Sequence, residues 1–228
     1  MKTIFNPFKF RYTKKIVFYF LLIFSFDNSI YASENFGDAM KWYENKSLDS
    51  DPKYHYMIGL KAEKEELIEK AIKHFSLAAE KDYTLAQIKL SAYFEKSNKE
   101  KDNYKARIIY KRLSEKKYPN AALKLGWMFE NNFGGEKDYS SALKFYKIAA
   151  SRDENEAYLY LSNMFITSFD EKNLLQAVGY ASIAKDKKVK GADKLLERLM
   201  PLLNKNDLSE LELLIYGLES EIVKIKIN

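Results

Sequence analysis

The sequence predicts an all-α protein: an α/α right-handed superhelix of about four to five helical hairpins, preceded by an export signal. Three observations predict it. A short marker recurs at a near-constant interval, the segments around each marker carry helix-period apolar stripes, and 228 residues contain only 8 Gly and 4 Pro. Such a composition disfavours a turn-rich sandwich, while 15 Phe and 17 Tyr supply ample material for a core.

The first marker is Ala-x-x-aromatic-aromatic. It stands as Ala39-Met40-Lys41-Trp42-Tyr43 and recurs more loosely at Ala71…His74-Phe75, Ala106…Ile109-Tyr110, Ala142…Phe145-Tyr146 and Ala177…Tyr180-Ala181, at intervals of 32, 35, 36 and 35 residues. The second marker is a large aliphatic followed by a small residue: Ile58-Gly59, Leu90-Ser91, Leu125-Gly126 and Leu161-Ser162. Each lies 19 residues after an Ala of the first set, and Ala177 leads to Leu196 by the same step.

Both markers sit in helical sequence. From Ala142 the apolar or small residues fall at 142, 145, 146, 149 and 150, and from Ala121 at 121, 122, 125, 128 and 129, so each segment buries one face. Between the two stripes, Asn131 to Asp138 is rich in turn residues, and Asp138 is placed to cap the following helix. Pro52 and Pro119 each stand shortly before a first-helix pattern, where a missing N–H costs little. The unit is helix A, turn, helix B, turn, and small residues at fixed positions let the two helices approach closely. A single hairpin cannot bury both its faces, whereas stacked neighbours can. The short first interval follows from a shorter turn: Gly59 to Ala71 is 12 residues, against 15, 16 and 15 in later units. Repeats therefore span 51–202, residues 33–50 are an orphan second helix, and 203–228 are a capping helix and tail. In that tail Asp207-Leu208-Ser209-Glu210 reads as a capping box opening a helix over roughly 208–217.

Residues 1–32 read as an export signal. Lys2, Lys9, Arg11, Lys14 and Lys15 precede the apolar run Ile16–Phe26, which is too short to span a bilayer and matches the hydrophobic region of a signal peptide. Ile30-Tyr31-Ala32 supplies a cleavage site before Ser33. Cleavage leaves a periplasmic or secreted domain; an uncleaved segment leaves the domain tethered to the membrane. The formal net charge of +6 resides mostly in this segment, so the rest of the chain is near neutral and a nucleic-acid partner loses its support.

Residues 121–150 are the strongest unit. Ala121, Leu125-Gly126, Phe129, Gly134-Gly135, Asp138-Tyr139, Ala142, Phe145-Tyr146 and Lys147-Ile148-Ala149-Ala150 resemble the Sel-one-like repeat of the tetratricopeptide-like superfamily. The other units depart from it, with Ser at 91 and 162 in place of Gly and no Gly-rich turn. The resemblance implies a scaffold or adaptor role, exported or membrane-associated, in a bacterial envelope or at a host contact, or in quality control in the endoplasmic reticulum. The Lys/Asn/Ile/Tyr-rich composition favours a bacterial source. The resemblance also implies where a partner would bind, since residues two, and five to six, after the Leu of helix A face a concave groove in such hairpins. These are Leu60, Ala92, Trp127 and Asn163, with Glu63, Glu95, Glu130 and Ile166. Together with Tyr56 they would form an acidic groove with aromatic anchors, suited to an extended basic peptide. The alternative is that Trp127 packs between helices and the glutamates are solvated surface.

Little else in the sequence suggests chemistry. The absence of Cys excludes disulfides, thiolate metal sites, cysteine nucleophiles and a lipoprotein anchor. No cofactor or metal is expected: His55 and His74 are the two histidines, His74 reads as a packed ring in the aromatic position of its helix, and His55 has no evident partner. Some exported proteins of the resembling family are linked to β-lactamase-like activity, so an envelope hydrolase, β-lactamase-like or acting on cell wall, is the alternative function. Ser114…Lys117, Ser141…Lys144 and Ser182…Lys185 have the Ser-x-x-Lys spacing, but neither Ser-Asp-Asn nor Lys-Thr-Gly accompanies them, and the spacing is background in a Lys-rich chain.

Overall fold

The computed structural model describes residues 50–97, 99–167 and 173–227. The export signal assigned to 1–32 and all but the last residue of the orphan helix assigned to 33–50 lie outside them. Residues Asp51–Asn228 form one unit.

The described residues hold ten α-helices and no strand. Helices α1 (Pro52–Lys64) and α2 (Ile68–Glu80) form the first hairpin, α3 (Thr84–Lys96) and α4 (Glu100–Glu115) the second, α5 (Ala121–Glu130) and α6 (Tyr139–Ser151) the third, and α7 (Ala157–Thr167) and α8 (Leu174–Asp186) the fourth. Each hairpin's second helix then packs on the next hairpin's first, which builds an α solenoid. Helix α9 (Ala192–Leu199) follows α8 as a fifth first helix, and a 3₁₀ turn at Met200–Leu202 leads into α10 (Lys205–Ile227).

The markers fall where their spacing predicts. Ala71, Ala106, Ala142 and Ala177 are fully buried on α2, α4, α6 and α8, while Gly59, Ser91, Gly126 and Ser162 are buried on α1, α3, α5 and α7. On α5 the predicted stripe buries Ala121, Ala122, Leu125 and Met128; on α6 it buries Ala142, Tyr146, Ala149 and Ala150. The cap predicted at Asp138 forms, and Asp51 caps α1 in the same manner. Asp138 accepts from the Ser141 amide at 2.9 Å, and Asp51, beside Pro52, accepts from the Lys53 amide at 2.8 Å.

Four second helices end in one shared way. Asp82, Lys117, Asp153 and Lys188 all take left-handed backbone, with φ of 62°, 56°, 62° and 57°. In the first, the Asp82 amide bonds the Ala79 carbonyl and the Tyr83 amide bonds the Ala78 carbonyl, and the same pair of bonds recurs after α4, α6 and α8. This is the Schellman stop, here built without glycine.

The last helix differs from the expected one. It runs 23 residues rather than about ten, and its cap is Asn204: Asn204 Oδ1 accepts from the Asp207 amide at 2.9 Å while Asp207 Oδ2 accepts from the Asn204 amide at 3.0 Å. Asp207 is thus the last residue of the reciprocal cap and not its first. Helix α10 lies against α8 and α6, with Leu214, Ile215, Leu218, Ile222 and Ile225 on their core. Gly179 on α8 makes room for it, since a β-carbon there would meet Leu218 at 2.9 Å. Lys147–Glu221 (2.6 Å) and Lys226–Asp153 (2.7 Å) border the seam.

Candidate partner-binding face

The first helices carry the residues singled out for binding, and equivalent positions occur on each. Glu63, Glu95 and Glu130 all stand four residues past the small-residue position of α1, α3 and α5. Lys89, Lys124 and Tyr160 all stand two residues before that position on the next first helix. Stacking brings the two sets together. Lys89 Nζ lies 2.8 Å from Glu63 Oε2, and Lys124 Nζ lies 3.4 Å from Glu95 Oε1.

Each glutamate also meets a tyrosine. The Tyr93 hydroxyl donates to Glu63 Oε1 at 2.8 Å, Tyr110 lies against Glu95, and the Tyr146 hydroxyl donates to Glu130 Oε2 at 2.6 Å. The Lys89 hydrogen bond holds the Glu63 carboxyl below the usual carboxylate range. Burial and then Glu63 push the Tyr93 hydroxyl up to about 12, and burial then Glu130 raises Tyr146 also. Beside Glu130, Tyr160 of α7 takes the lysine's place, and its ring stacks on Tyr146 with centroids 5.3 Å apart. The three carboxylates that the sequence places in one acidic row are therefore tied into the stack by lysines and tyrosines of neighbouring helices.

The remaining predicted residues divide by burial. Tyr56 is half-buried between Phe75 (5.8 Å) and Tyr83 (5.2 Å). Trp127 is half-buried against Phe133 at 5.5 Å and touches the apolar cores on both sides of α5. Leu60 and Ala92 are half-buried, whereas Asn163 and Ile166 on α7 are exposed. The face is thus mixed, aromatic and aliphatic, with its charge paired.

Two features were not legible in the sequence. The first is Arg107 on α4, which anchors the Gly-rich turn of the next repeat. Its Nε donates to the Phe133 carbonyl at 3.0 Å, its Nη2 to the Met128 carbonyl at 2.9 Å, and its guanidinium lies 4.2 Å from the centre of the Phe129 ring. Gly134, at φ 77°, lets the turn run against the α4 backbone at Asn103. The second is the histidine pair. His55 does have a partner: its Nδ1 lies 3.2 Å from Nδ1 of His74, one imidazole donating and the other accepting. The interval is again 19 residues, which is the signal that would have found it.

The serine–lysine spacings do not assemble. Ser141 donates to Asp138 at 2.6 Å and Ser182 to the Val178 carbonyl at 2.9 Å, while Ser114 is buried at the end of α4. Lys144 lies over the Phe145 ring and Lys185 pairs with Asp193. Among the described residues no group of three or more His, Cys, Asp or Glu could hold a metal ion, and no helix is long and apolar enough to cross a membrane.

Solved structures share this architecture. A protective antigen of uropathogenic Escherichia coli strains displaying an SLR fold matches with a TM-score of 0.59 and 20% identity, over 83% of this chain and 42% of the antigen. A Sel1 repeat protein from Oxalobacter formigenes matches with a TM-score of 0.53 and 25% identity, over 73% of this chain and 71% of that one. The chain thus corresponds to under half the length of the antigen. No protein-family model matches the sequence, and no curated protein does.

Proposed function

We propose, taking the Sel1-like repeat fold as the premise, that this protein is an exported scaffold that binds a protein or peptide partner in the cell envelope through its first-helix face. The observation that carries the reading is the register of that face. Stacking aligns Leu60, Ala92, Trp127 and Asn163 at equivalent positions on the first helices of four successive hairpins, none of them fully buried. An extended segment laid across them meets one position per repeat, and aromatic side chains held rigidly by their neighbours lose little entropy on contact. With Glu63 and Glu95 already paired to lysines, recognition falls to Trp127, Tyr160 and Ile166, and a basic peptide gains only where it displaces Lys89 or Lys124. Export rests on residues 1–32, whose basic stretch, apolar run and Ala32 cleavage site supply the signal. The cleaved form starts at Ser33; an uncleaved segment would keep the domain at the membrane.

Site-specific photo-crosslinking in the producing cell tests the binding face. A photoreactive residue at 127 or 163 is expected to trap one discrete protein partner, and the same residue at Lys111, exposed on α4, is expected to trap none. Trapping at 111 with nothing at 127 and 163 would refute the assignment. N-terminal sequencing of the envelope fraction tests export separately: Ser33 as first residue supports it, and recovery only in the cytoplasm ends it.

A further inference from the structure

Helix α10 is apolar on two faces. One is spent on α8 and α6, as described above. The other carries Leu213, Tyr216, Val223 and Ile227, exposed to 76%, 72%, 53% and 78%, with Ser220 between them. The spacing 213, 216, 220, 223, 227 is the alternating three-and-four step of a coiled-coil seam, and it extends for about 21 Å of helix. Among the described residues nothing covers this row.

Gly217 lies beside the row, one residue from the midpoint of α10, and a β-carbon on it would meet nothing within 4 Å. A glycine inside a helix costs about 1 kcal/mol relative to alanine, and no contact among the described residues requires the missing side chain. A second helix crossing at this point would use it, because the absence of a side chain lets two helix backbones approach. The charges select the occupant. Glu210 stands seven residues before Gly217 and Lys224 seven after it, and both are exposed. Two copies of α10 crossing antiparallel about a two-fold axis at Gly217 set each Glu210 opposite the partner's Lys224. A parallel pairing would set like against like. Glu219 falls near the axis beside its own copy, a repulsion that salt screens along with the two Glu210–Lys224 attractions.

We infer that the α10 seam binds a second copy of this chain, giving an antiparallel two-fold dimer that leaves the first-helix face open. One helix pair is a small interface, below about 1,200 Å², so the dimer is a concentration-dependent one. The symmetry is isologous, with Leu213 of each copy meeting the other's Val223.

The absence of Cys makes the test direct. Purified full-length protein is examined by sedimentation equilibrium from about 1 to about 200 µM, a range suited to a small interface. The mass is expected to rise from one chain toward two, and Leu213→Glu or Val223→Glu to hold it at one with unchanged helix content and Tm. Gly217→Leu is a second variant: it raises helix propensity, so a purely structural glycine would give a more stable dimer, whereas a crossing glycine gives a stable monomer. Under mild oxidation Gly217→Cys is expected to form a disulfide with its own copy and Ile227→Cys not to, while a parallel pair would link at both. A wild-type protein that stays monomeric across the range overturns the inference. So does a monomer that floats with anionic phosphatidylglycerol vesicles and loses that binding in Leu213→Glu, since the seam would then face a lipid surface.

Discussion

Gly126 lies directly beneath the ring of Tyr146: a β-carbon on the glycine would be 2.6 Å from Tyr146 Cδ1. Gly59 stands in the same relation to Phe75, at 2.5 Å. The small residue of helix A and the aromatic of helix B are therefore one feature, a ring filling the space a side chain would take. The fourth repeat inverts it. There Ala181 occupies the ring position, and Ser162 fits and donates to the Ala177 carbonyl at 2.7 Å. Gly126→Ala is expected to destabilise by about 1–3 kcal/mol through overpacking, read as a lower urea midpoint, and Gly126→Ala with Tyr146→Leu to recover part of it. Full tolerance of the single change would show that the hairpin can open at no cost.

Tyr146 also supplies the donor to Glu130. Tyr146→Phe keeps the ring over Gly126 but removes the hydroxyl, leaving a half-buried carboxylate short of a partner. A loss of about 1–3 kcal/mol is expected, with helix content unchanged, and Glu130→Gln in the Phe background should restore part of it. Equal stability of Tyr146→Phe and wild type would place no weight on the bond.

Arg107 ties the Gly-rich turn to the preceding repeat. Arg107→Lys retains the charge but not the fork that reaches the Met128 and Phe133 carbonyls together, so hydrogen exchange in the 131–137 turn should speed up while α7 and α8 stay protected. Unaltered exchange in that turn would contradict the anchoring role.

The glycine-free helix stops offer stabilisation. Lys188 is exposed with φ 57°, a conformation in which a β-carbon is strained, and Lys188→Gly is expected to raise stability by about 0.5–1 kcal/mol. Lys188→Ala should not. A thermal melt of the two variants decides it.

Burial gives the stack a direction of pH sensitivity. Tyr110 and Tyr158 are pushed up to about 12 chiefly by burial, Tyr93 to about 12 by burial and Glu63, and Tyr146 and Tyr180 are raised likewise. An unfolded tyrosine ionises near pH ~10. A raised folded value favours the neutral form, so the stabilisation is complete below ~10 and is lost as pH rises from there through about 12. The urea midpoint should be flat to about pH 9 and fall above ~10, with phenolate absorbance from these rings appearing only with unfolding. Titration of all the tyrosines before unfolding would contradict it.

The repeat was legible because its causes are local. Ala142 at one position and Ala149 and Ala150 seven and eight later define a buried face by helix geometry alone, and the 19-residue step records most of a second helix, one turn and the first half of the next first helix. The glutamates mark the limit of that reasoning. Glu63, Glu95 and Glu130 recur at one position of the repeat, yet the lysine partners Lys89 and Lys124 follow from how far one hairpin is shifted and rotated on the next. Left-handed turns at Lys117 and Lys188 were invisible for a different reason, since lysine in that conformation leaves no glycine to read.

The sequence by itself determined the helical hairpin, its period and the buried faces, because period and side-chain size act within a few residues. Only the tertiary structure decided which charges are paired, that His55 meets His74, that Arg107 holds the next repeat's turn, and that α10 turns back over α8 and α6 with an apolar row left uncovered. Those outcomes depend on contacts of about 3–4 Å between segments tens of residues apart, and such distances are set by packing rather than by periodicity.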